Sequence, residues 1–241
     1  MNNKVGVLTV AYKAERFMAA NIRQHRIFGL PHYVVCSDRP WRGEGNNDMT
    51  MDIVEEEGAN LVYINSGVDH QQRNHGLAHM KMQGIEWALV VDTDEFWEEK
   101  ELYFLLKSLK DDVDVVRAPN MHVYWKTMGL RIQPDPQPDN PVVAIRTNQQ
   151  FKFSRLTDAR NGWTTGAEFH HFSFVRSDEE MRQKISGSEH NHEWIPEWYE
   201  KIWTGWTLGD PNLHPVVPSQ FADVVFDPAP NEILELFYEP S

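Results

Sequence analysis

The chain has 241 residues, 41% of them hydrophobic and 12% aromatic, and a formal net charge of −13. This composition suits a folded core and excludes a wholly disordered chain, and the negative charge argues against a generic nucleic-acid or anionic-membrane binder. No apolar stretch reaches the ~20 residues that a membrane span needs, the amino-terminal residues are no signal peptide, and the lone Cys36 suits a reducing compartment. We therefore expect a cytoplasmic protein without a membrane span.

Apolar runs and helical spacings alternate through the first half of the sequence. Strands are predicted at residues 4–10, 32–36, 61–64, 87–91 and 113–117, and helices at 15–28, 71–85 and about 102–109. Strands that alternate with helices are typical of an α/β protein with a doubly wound, mostly parallel sheet.

The second half of the sequence is less regular. Four prolines between residues 131 and 141 predict a loop or lid. Residues 170–175 alternate as a strand does, and the capping-box pattern of Ser177 and Glu180 predicts a helix through about Ile185. Beyond Leu208 prolines recur, so we expect an irregular, Pro- and Trp-rich carboxy-terminal extension with a short helix near 232–237. The predicted division is a main domain over 1–207 and a tail over 208–241 that packs on it.

Two carboxylates, Asp92 and Asp94, follow the predicted strand at residues 87–91. Residues two apart on extended chain point to the same side, and open α/β sheets bind ligands at the carboxyl ends of their strands. Carboxylates that project together favour a divalent cation, because each would otherwise repel the other. We interpret the pair as a metal–diphosphate site. A second Asp-x-Asp, Asp112 and Asp114, precedes its apolar run, and we predict a solvated strand entrance there.

Four segments, taken in chain order, carry a family resemblance. They are Ala11-Tyr12-Lys13-Ala14-Glu15 after the first strand, Gln72-Arg73-Asn74-His75-Gly76-Leu77, Val90-Val91-Asp92-Thr93-Asp94-Glu95-Phe96, and His170-His171-Phe172-Ser173-Phe174. Together they resemble the GT-A glycosyltransferases, in particular the family-2-like branch, over residues 4–185. The chain is also similar to small glycosyltransferase-like proteins of bacteria and tailed bacteriophages, some of which glycosylate hydroxymethylated DNA.

The resemblance implies a GT-A-like nucleotide-sugar and acceptor domain over residues 1–207. It implies Mn²⁺ or Mg²⁺ as cofactor and a nucleotide-diphosphate sugar as donor, a UDP-sugar being the expected one. The implied nucleotide contacts are Ala11, Tyr12 and Glu15 beside the nucleoside, Asp38 near the base or ribose, Arg73 and Asn74 facing the nucleotide, and Asp92 at the ribose or the metal. Asp94 is implied as the principal metal ligand and catalytic residue, and His171, in preference to His170, as a later metal ligand.

The chemistry of sugar transfer agrees with these roles. A cation held by carboxylates would stabilise the negative charge that develops on the nucleoside diphosphate as the sugar departs. Manganese accepts an added imidazole ligand more readily than magnesium does. An inverting enzyme also needs a catalytic base, and Asp158 and Glu168 are candidates by position.

The sequence leaves the acceptor open among a polysaccharide, a lipid-linked sugar and a hydroxymethylated DNA base. Arg146, Lys152, Arg155 and Arg160 make residues 146–160 locally basic, with aromatic residues between them. We favour an ordinary amphipathic hairpin there. The alternative is a groove for an anionic acceptor, including a modified nucleic acid, in which aromatic rings stack and cations meet phosphate.

Two other functions are consistent with the sequence. One is a metal-dependent phosphohydrolase that cleaves nucleotide sugars with water. The other is a non-catalytic carbohydrate-binding module built on Trp194, Trp198, Trp203 and Trp206, although such residues more often serve packing. His75 and His79 have a spacing that can bind zinc, but no His-Glu-x-x-His accompanies them, so we favour solvated or capping roles.

Overall fold

The computed structural model describes residues 4–37, 39, 48–187 and 191–238, so Asp38, which the resemblance places near the nucleotide, lies outside the described residues. The α-helices are α1 (Glu15–Arg23), α2 (Thr50–Glu56), α3 (Asp69–Met82), α4 (Glu99–Lys107), α5 (Asp178–Gly187) and α6 (Asn231–Glu235). The strands are β1 (Val5–Ala11), β2 (His32–Cys36), β3 (Asn60–Tyr63), β4 (Trp87–Val90), β5 (Glu95–Phe96), β6 (Val115–Arg117), β7 (Asn120–Trp125), β8 (Leu130–Gln133), β9 (Gln137–Pro138), β10 (Val142–Arg146), β11 (Phe151–Phe153), β12 (Leu156–Thr157), β13 (Gly162–Thr164), β14 (Glu168–Phe174) and β15 (Asp223–Phe226).

A seven-stranded sheet, in the order β3-β2-β1-β4-β10-β6-β13, forms the centre of the fold. Strands β3, β2, β1 and β4 are parallel neighbours, whereas β10 runs antiparallel between β4 and β6. Successive residues of β1 enter different cores: Val7 packs in one cluster with Leu105 of α4, and Leu8 packs in another with Leu77 of α3. Both faces of the sheet are therefore covered, which explains the continuous apolar runs. The predicted α/β class with a mostly parallel central sheet is confirmed.

A second sheet has the order β15-β8-β7-β14-β5, with β9 paired to β7. The chain passes from β4 of the first sheet to β5 of the second through Asp92-Thr93-Asp94, so the two carboxylates occupy the link between the sheets. Because β14 pairs antiparallel with β5, His171 lies opposite Glu95. This pairing brings the His-aromatic strand beside the carboxylate turn.

Local sequence signals predicted several elements closely. The strand predicted at 32–36 is β2 with the same bounds. The capping box at the start of α5 is confirmed, because the Glu180 amide donates to Ser177 Oγ at 3.3 Å and the Ser177 amide donates to Glu180 Oε2 at 2.6 Å.

Three predictions about secondary structure were wrong or incomplete. The helix predicted at 15–28 ends at Arg23, and a separate 3₁₀ turn follows at Arg26–Phe28. The loop predicted at 131–141 contains β8 and β9, which pair with β7; prolines are tolerated there because they fall at strand ends and on short edge pairings. The structure also has α2 and β15, which no pattern predicted.

The carboxy-terminal region joins both the second sheet and the core. Strand β15 pairs antiparallel with β8, and Ile233 of α6 is fully buried. Trp198 and Trp203 pack on Trp125 with ring centroids 6.0 and 5.0 Å apart, so these members of the Trp cluster serve packing. Within the described chain no helix combines the length and the apolar character that crossing a membrane requires.

Candidate active site at the link between the two sheets

A cavity of about 470 Å³ opens where β1 and β4 end, between the carboxylate turn, α1 and α5. Its lining includes five cationic side chains and five carboxylates: Lys13, Arg16, Arg73, Arg176 and Lys184, and Glu15, Asp48, Asp92, Asp94 and Glu180. The carboxyl ends of parallel strands are where open α/β sheets bind ligands. We therefore take this cavity as the candidate active site.

Asp92 is held by two guanidinium groups. Its Oδ1 accepts a hydrogen bond from Arg73 at 2.9 Å and lies 3.0 Å from Nη2 of Arg155. Arg155 also donates to Glu95 at 2.6 Å, and Arg73 forms an ion pair with Asp69 at 2.9 Å. Burial alone would raise the pKa of Asp92, but Arg155 and Arg73 outweigh it and lower that pKa to about 2. Asp92 is thus a fixed anion.

Asp94 meets a different set of cationic groups. Its Oδ2 accepts a hydrogen bond from Arg176 at 3.0 Å and lies 3.5 Å from Nζ of Lys184, and its Oδ1 lies 3.4 Å from Nε2 of His171. Burial opposes ionisation, yet Lys184, His171 and Arg176 together hold the pKa of Asp94 well below its ordinary value. Burial also lowers the pKa of Lys184 to about 8, although Asp94 opposes this shift. Lys184 is therefore a half-buried cation facing the cavity.

Buried amides fix the backbone of the carboxylate turn. Nδ2 of Asn21, on α1, donates to the carbonyls of Asp92 at 2.9 Å and Glu95 at 3.3 Å. The Phe172 amide of β14 donates to the carbonyl of Asp94 at 2.8 Å. Side-chain and backbone amides of α1 and β14 thus satisfy the carbonyl groups of Asp92 and Asp94, which lie in the link between the two sheets. These hydrogen bonds hold the backbone that carries the two carboxylates.

The Arg-Asn-x-Gly pattern on α3 joins three parts of the structure. Arg73 reaches the carboxylate turn, whereas Asn74 bonds to the backbone of Phe151 in β11, donating to its carbonyl at 2.9 Å and accepting from its amide at 2.8 Å. At Gly76 a Cβ would lie 2.7 Å from Cγ2 of Val35, so α3 packs closely on the sheet. The structure thus gives Asn74 a structural partner, and Asn74 does not line the cavity where the resemblance implied a nucleotide contact.

The other residues predicted to contact the nucleotide differ in whether they line the cavity. Tyr12 and Glu15 line the cavity with Arg73. Ala11, the last residue of β1, is 1% exposed and lies behind the lining. His171 faces Asp94, whereas the adjacent His170 is buried on the opposite side of β14, where its Nδ1 lies 2.9 Å from the hydroxyl of Tyr124.

Neither candidate base lies in the cavity. Glu168 bonds to Asn120 at 2.9 Å and to His122 at 3.1 Å on the second sheet. Asp158 forms an ion pair with Lys152 at 3.4 Å on the β11–β12 hairpin. Both residues instead make contacts outside the lining of the cavity.

The spacing of Asp94 and His171 would allow both side chains to contribute to a metal site. Among the described residues, no group of three or more His, Cys, Asp or Glu side chains is arranged to hold a metal ion. Two ligands about 2.1 Å from one ion and at a right angle to each other lie about 3.0 Å apart. The 3.4 Å between Asp94 Oδ1 and His171 Nε2 therefore lets both reach one ion after a small movement. Two protein donors fit a Mn²⁺ or Mg²⁺ ion whose other ligands are water and phosphate oxygens.

Three of the four cationic side chains in the basic segment at residues 146–160 pair with acidic residues of the protein. Arg155 is buried against Asp92 and Glu95, Arg146 lies 3.7 Å from Glu86, and Lys152 pairs with Asp158. These contacts favour the amphipathic hairpin over a groove for an anionic acceptor.

Sequence reasoning missed Arg155, Arg176 and Lys184. For Lys184 a signal was present: it follows the buried Met181 by three residues on α5, so the two share a helix face. No local pattern distinguishes Arg155 or Arg176 from surface arginines, because their partners come from distant parts of the chain.

No family model and no curated protein sequence matches the chain, but solved structures do. The mannosyltransferase PcManGT from Pyrobaculum calidifontis, in complex with GDP-Man and Mn²⁺, is 13% identical, with a TM-score of 0.50 over 91% of this chain and 68% of that chain. S. aureus TarS 1–349 in complex with UDP-GlcNAc is 16% identical, with a TM-score of 0.47 over 76% of this chain and 64% of that chain. HddC from Yersinia pseudotuberculosis is 10% identical, with a TM-score of 0.40 over 69% of this chain and 92% of that chain. The chain thus spans just under two thirds of the TarS chain. Its fold is similar to that of the mannosyltransferase PcManGT, in agreement with the GT-A-like fold that the sequence resemblance implied.

Proposed function

We propose that this protein is a metal-dependent glycosyltransferase that moves a sugar from a nucleotide-diphosphate sugar to an acceptor hydroxyl. The observation that carries the proposal is the cavity at the carboxyl ends of the parallel strands, where the ionised carboxylates of the half-buried Asp92 and the buried Asp94 share the lining with five cationic side chains. The similarity in fold to PcManGT, whose complex contains GDP-Man and Mn²⁺, supports it.

The cationic side chains suit a diphosphate leaving group. Arg176 and Lys184 already lie against Asp94 and Arg73 lies against Asp92, and Lys13 and Arg16 complete the cationic part of the lining. They are in place before the reaction, so they stabilise the negative charge that develops on the diphosphate without reorganising. The interaction of Lys184 with phosphate is strengthened because its ammonium group is partly withdrawn from water.

The two carboxylates have different roles in this proposal. Asp94 and His171 would hold Mn²⁺ or Mg²⁺, which when bound acts as a Lewis acid on the diphosphate. Asp92 is held at Oδ1 by Arg73 and Arg155, and its side chain remains 34% exposed. It is therefore a rigid acceptor for a ribose hydroxyl or a further contact to the metal.

The proposal is tested by thermal unfolding with UDP, GDP, CDP and TDP, each with and without Mn²⁺. We expect one nucleotide to raise the melting temperature in a metal-dependent way, since a ligand at a hundredfold excess over its dissociation constant adds about 2.7 kcal/mol to the stability. Asp94→Asn should abolish this shift. The matched control is Asp114→Asn, which alters the second residue of the other Asp-x-Asp and should leave the shift intact.

A shift of full size in the Asp94→Asn variant, or one that needs no metal, would contradict the proposal as stated. A positive result also identifies the donor base. Transfer itself is then measured as release of that nucleoside diphosphate from its sugar in the presence and absence of acceptor, because a phosphohydrolase would turn over at full rate with water alone.

A further inference from the structure

Helix α5 turns one face toward the candidate active site. This face carries Glu180, Gln183, Lys184 and Gly187, which all line the cavity. Residues three, four and seven positions apart are neighbours along one side of a helix. Since Gly187 has no side chain, this face offers three side chains to a ligand bound in the cavity.

Two ion pairs fix this face of α5 in place. Nη1 of Arg16, on α1, lies 2.8 Å from Oε2 of Glu180. One turn later, Nζ of Lys184 lies 3.5 Å from Oδ2 of Asp94 in the carboxylate turn. Gln183 lies between the two paired residues in the sequence, so the helix holds its backbone at a set position beside the turn.

Gln183 is the side chain on this face whose polar groups are free for a ligand. It is exposed, and its backbone carbonyl accepts a hydrogen bond from Ser186 Oγ at 2.9 Å. Its side-chain amide, in contrast, has no partner among the residues that the structure describes. The amide carries no charge and offers two hydrogen-bond donors and an acceptor oxygen.

The other uncharged polar side chains of the lining are placed differently. They belong to Tyr12, Thr93 and Ser173. Tyr12 lies in the loop after β1, and Ser173 Oγ accepts a hydrogen bond from Lys184. Thr93 lies inside the carboxylate turn, between the two carboxylates. Gln183 is therefore the uncharged polar residue that α5 contributes and that stands apart from the carboxylate turn.

A nucleotide sugar changes in chemistry along its length. Its diphosphate is anionic and matches Arg176, Lys184 and a cation held by Asp94 and His171. Its sugar is rich in hydroxyl groups, each of which both donates and accepts hydrogen bonds. An amide does both as well, whereas an ionised carboxylate only accepts and an ammonium or guanidinium group only donates. Because the sugar is bonded directly to the diphosphate, it lies beside the residues that hold the diphosphate, and Gln183 adjoins Lys184 in the same lining.

We infer that Gln183 binds hydroxyl groups of the donor sugar and thereby helps to determine which nucleotide sugar the protein uses. This inference rests on the proposed function, because a nucleotide sugar in this cavity is what places a sugar next to the diphosphate site. The ion pairs of Glu180 and Lys184 keep the amide in register with the carboxylate turn, which is what discrimination between sugars requires.

The test compares nucleotide sugars with the nucleoside diphosphates that they contain, by isothermal titration calorimetry of the full chain with Mn²⁺. The probes are UDP, GDP, CDP and TDP, their glucose conjugates, UDP-galactose, UDP-N-acetylglucosamine and GDP-mannose. Gln183→Met keeps the length of the side chain and removes its amide. It should weaken the tightest-binding nucleotide sugar about threefold to tenfold, as loss of a hydrogen bond does, and change the affinity for the matching nucleoside diphosphate by less than about twofold. The matched control is Gln83→Met, the same exchange at an exposed glutamine just after α3 and outside the lining, which should leave both affinities unchanged.

Three results would overturn the inference while leaving the proposed function intact. One is an unchanged affinity of Gln183→Met for the nucleotide sugar. Another is equal weakening of the nucleotide sugar and its nucleoside diphosphate, which would assign Gln183 to the diphosphate or to the stability of α5. The third is binding of a nucleoside diphosphate by the wild type without binding of any of the nucleotide sugars. If no nucleotide of either kind binds to the wild type, the proposed function fails, and the role of Gln183 fails with it.

Discussion

Arg155 bridges the carboxylates at the two ends of the turn, Asp92 and Glu95. The side chains of Arg155 and Glu95 are buried, and that of Asp92 is half-buried. Burial raises the pKa of Glu95, and Arg155 opposes that shift. Removing one partner from a buried ion pair leaves an uncompensated charge, which costs far more than the pair itself contributes. The charge balance of the site therefore depends on a residue from the β11–β12 hairpin.

We predict that Arg155→Met lowers the free energy of unfolding by about 3–5 kcal/mol, measured by urea denaturation. The matched control is Lys152→Met on the same hairpin. It removes an exposed ion pair with Asp158 and should cost less than about 1 kcal/mol. Equal losses in the two variants would show that the hairpin, and not the buried charge, determines the effect.

At the scale of secondary-structure elements, the close approach of α3 to the sheet depends on Gly76. Its missing side chain leaves room for Leu8 of β1 and Val35 of β2, both of them fully buried. This approach sets the position of Arg73, one turn earlier on the same helix, against Asp92. A glycine inside a helix thus serves the geometry of the site.

The sign of the change in stability caused by Gly76→Ala tests this packing. In an open helix the change would stabilise by about 1 kcal/mol through helix propensity. Here the added Cβ meets Val35 at 2.7 Å, and overpacking of a core costs about 1–3 kcal/mol. We predict a net loss of stability in chemical denaturation. His75→Ala, on the exposed side of the same helix, should be neutral or slightly stabilising, and a stabilised Gly76→Ala variant would refute the packing argument.

The sequence could predict the elements that depend on neighbouring residues, but not those that depend on pairing between distant parts of the chain. The apolar runs of β1, β2 and β4 and the capping box of α5 depend on neighbouring residues, and they were predicted correctly. Strands β8 and β15 depend on pairing with each other across a long separation in the chain, and local patterns could not predict them. The site divides likewise: the carboxylate turn and Arg73 were visible in the sequence, whereas the cationic partners Arg155, Arg176 and Lys184 were not.

At the scale of the whole molecule, the net charge does not describe the candidate active site. The chain carries 36 acidic against 23 basic residues, yet cationic and acidic side chains balance in the lining of that site. The lining is therefore less acidic than the chain as a whole. Net charge argues against non-specific binding of polyanions, but it does not exclude a site for one diphosphate.

Three histidines buried without charge are predicted to make stability depend on pH. Burial lowers the pKa of His25 to about 4, against a hydrogen bond to the Asn21 carbonyl, and lowers that of His170 to about 3. The pKa of His32 lies well below its ordinary value because of burial and the neighbouring His25. The folded protein therefore excludes protons that the unfolded chain binds once the pH falls below about 6.5.

The sign follows from this difference in proton binding: the free energy of unfolding falls as the pH falls from about 6.5 toward about 4. Each histidine contributes at most about 1.4 kcal/mol per pH unit. The raised pKa of His122 acts in a separate window, since its contribution is complete below about 6.5 and is lost only at higher pH. Urea denaturation across the acidic range should show a shallower pH dependence in His25→Gln and in His170→Gln than in the wild type. The exposed His75→Gln should match the wild type; if all four slopes agree, the histidines are not the cause and carboxylates must account for the acid lability.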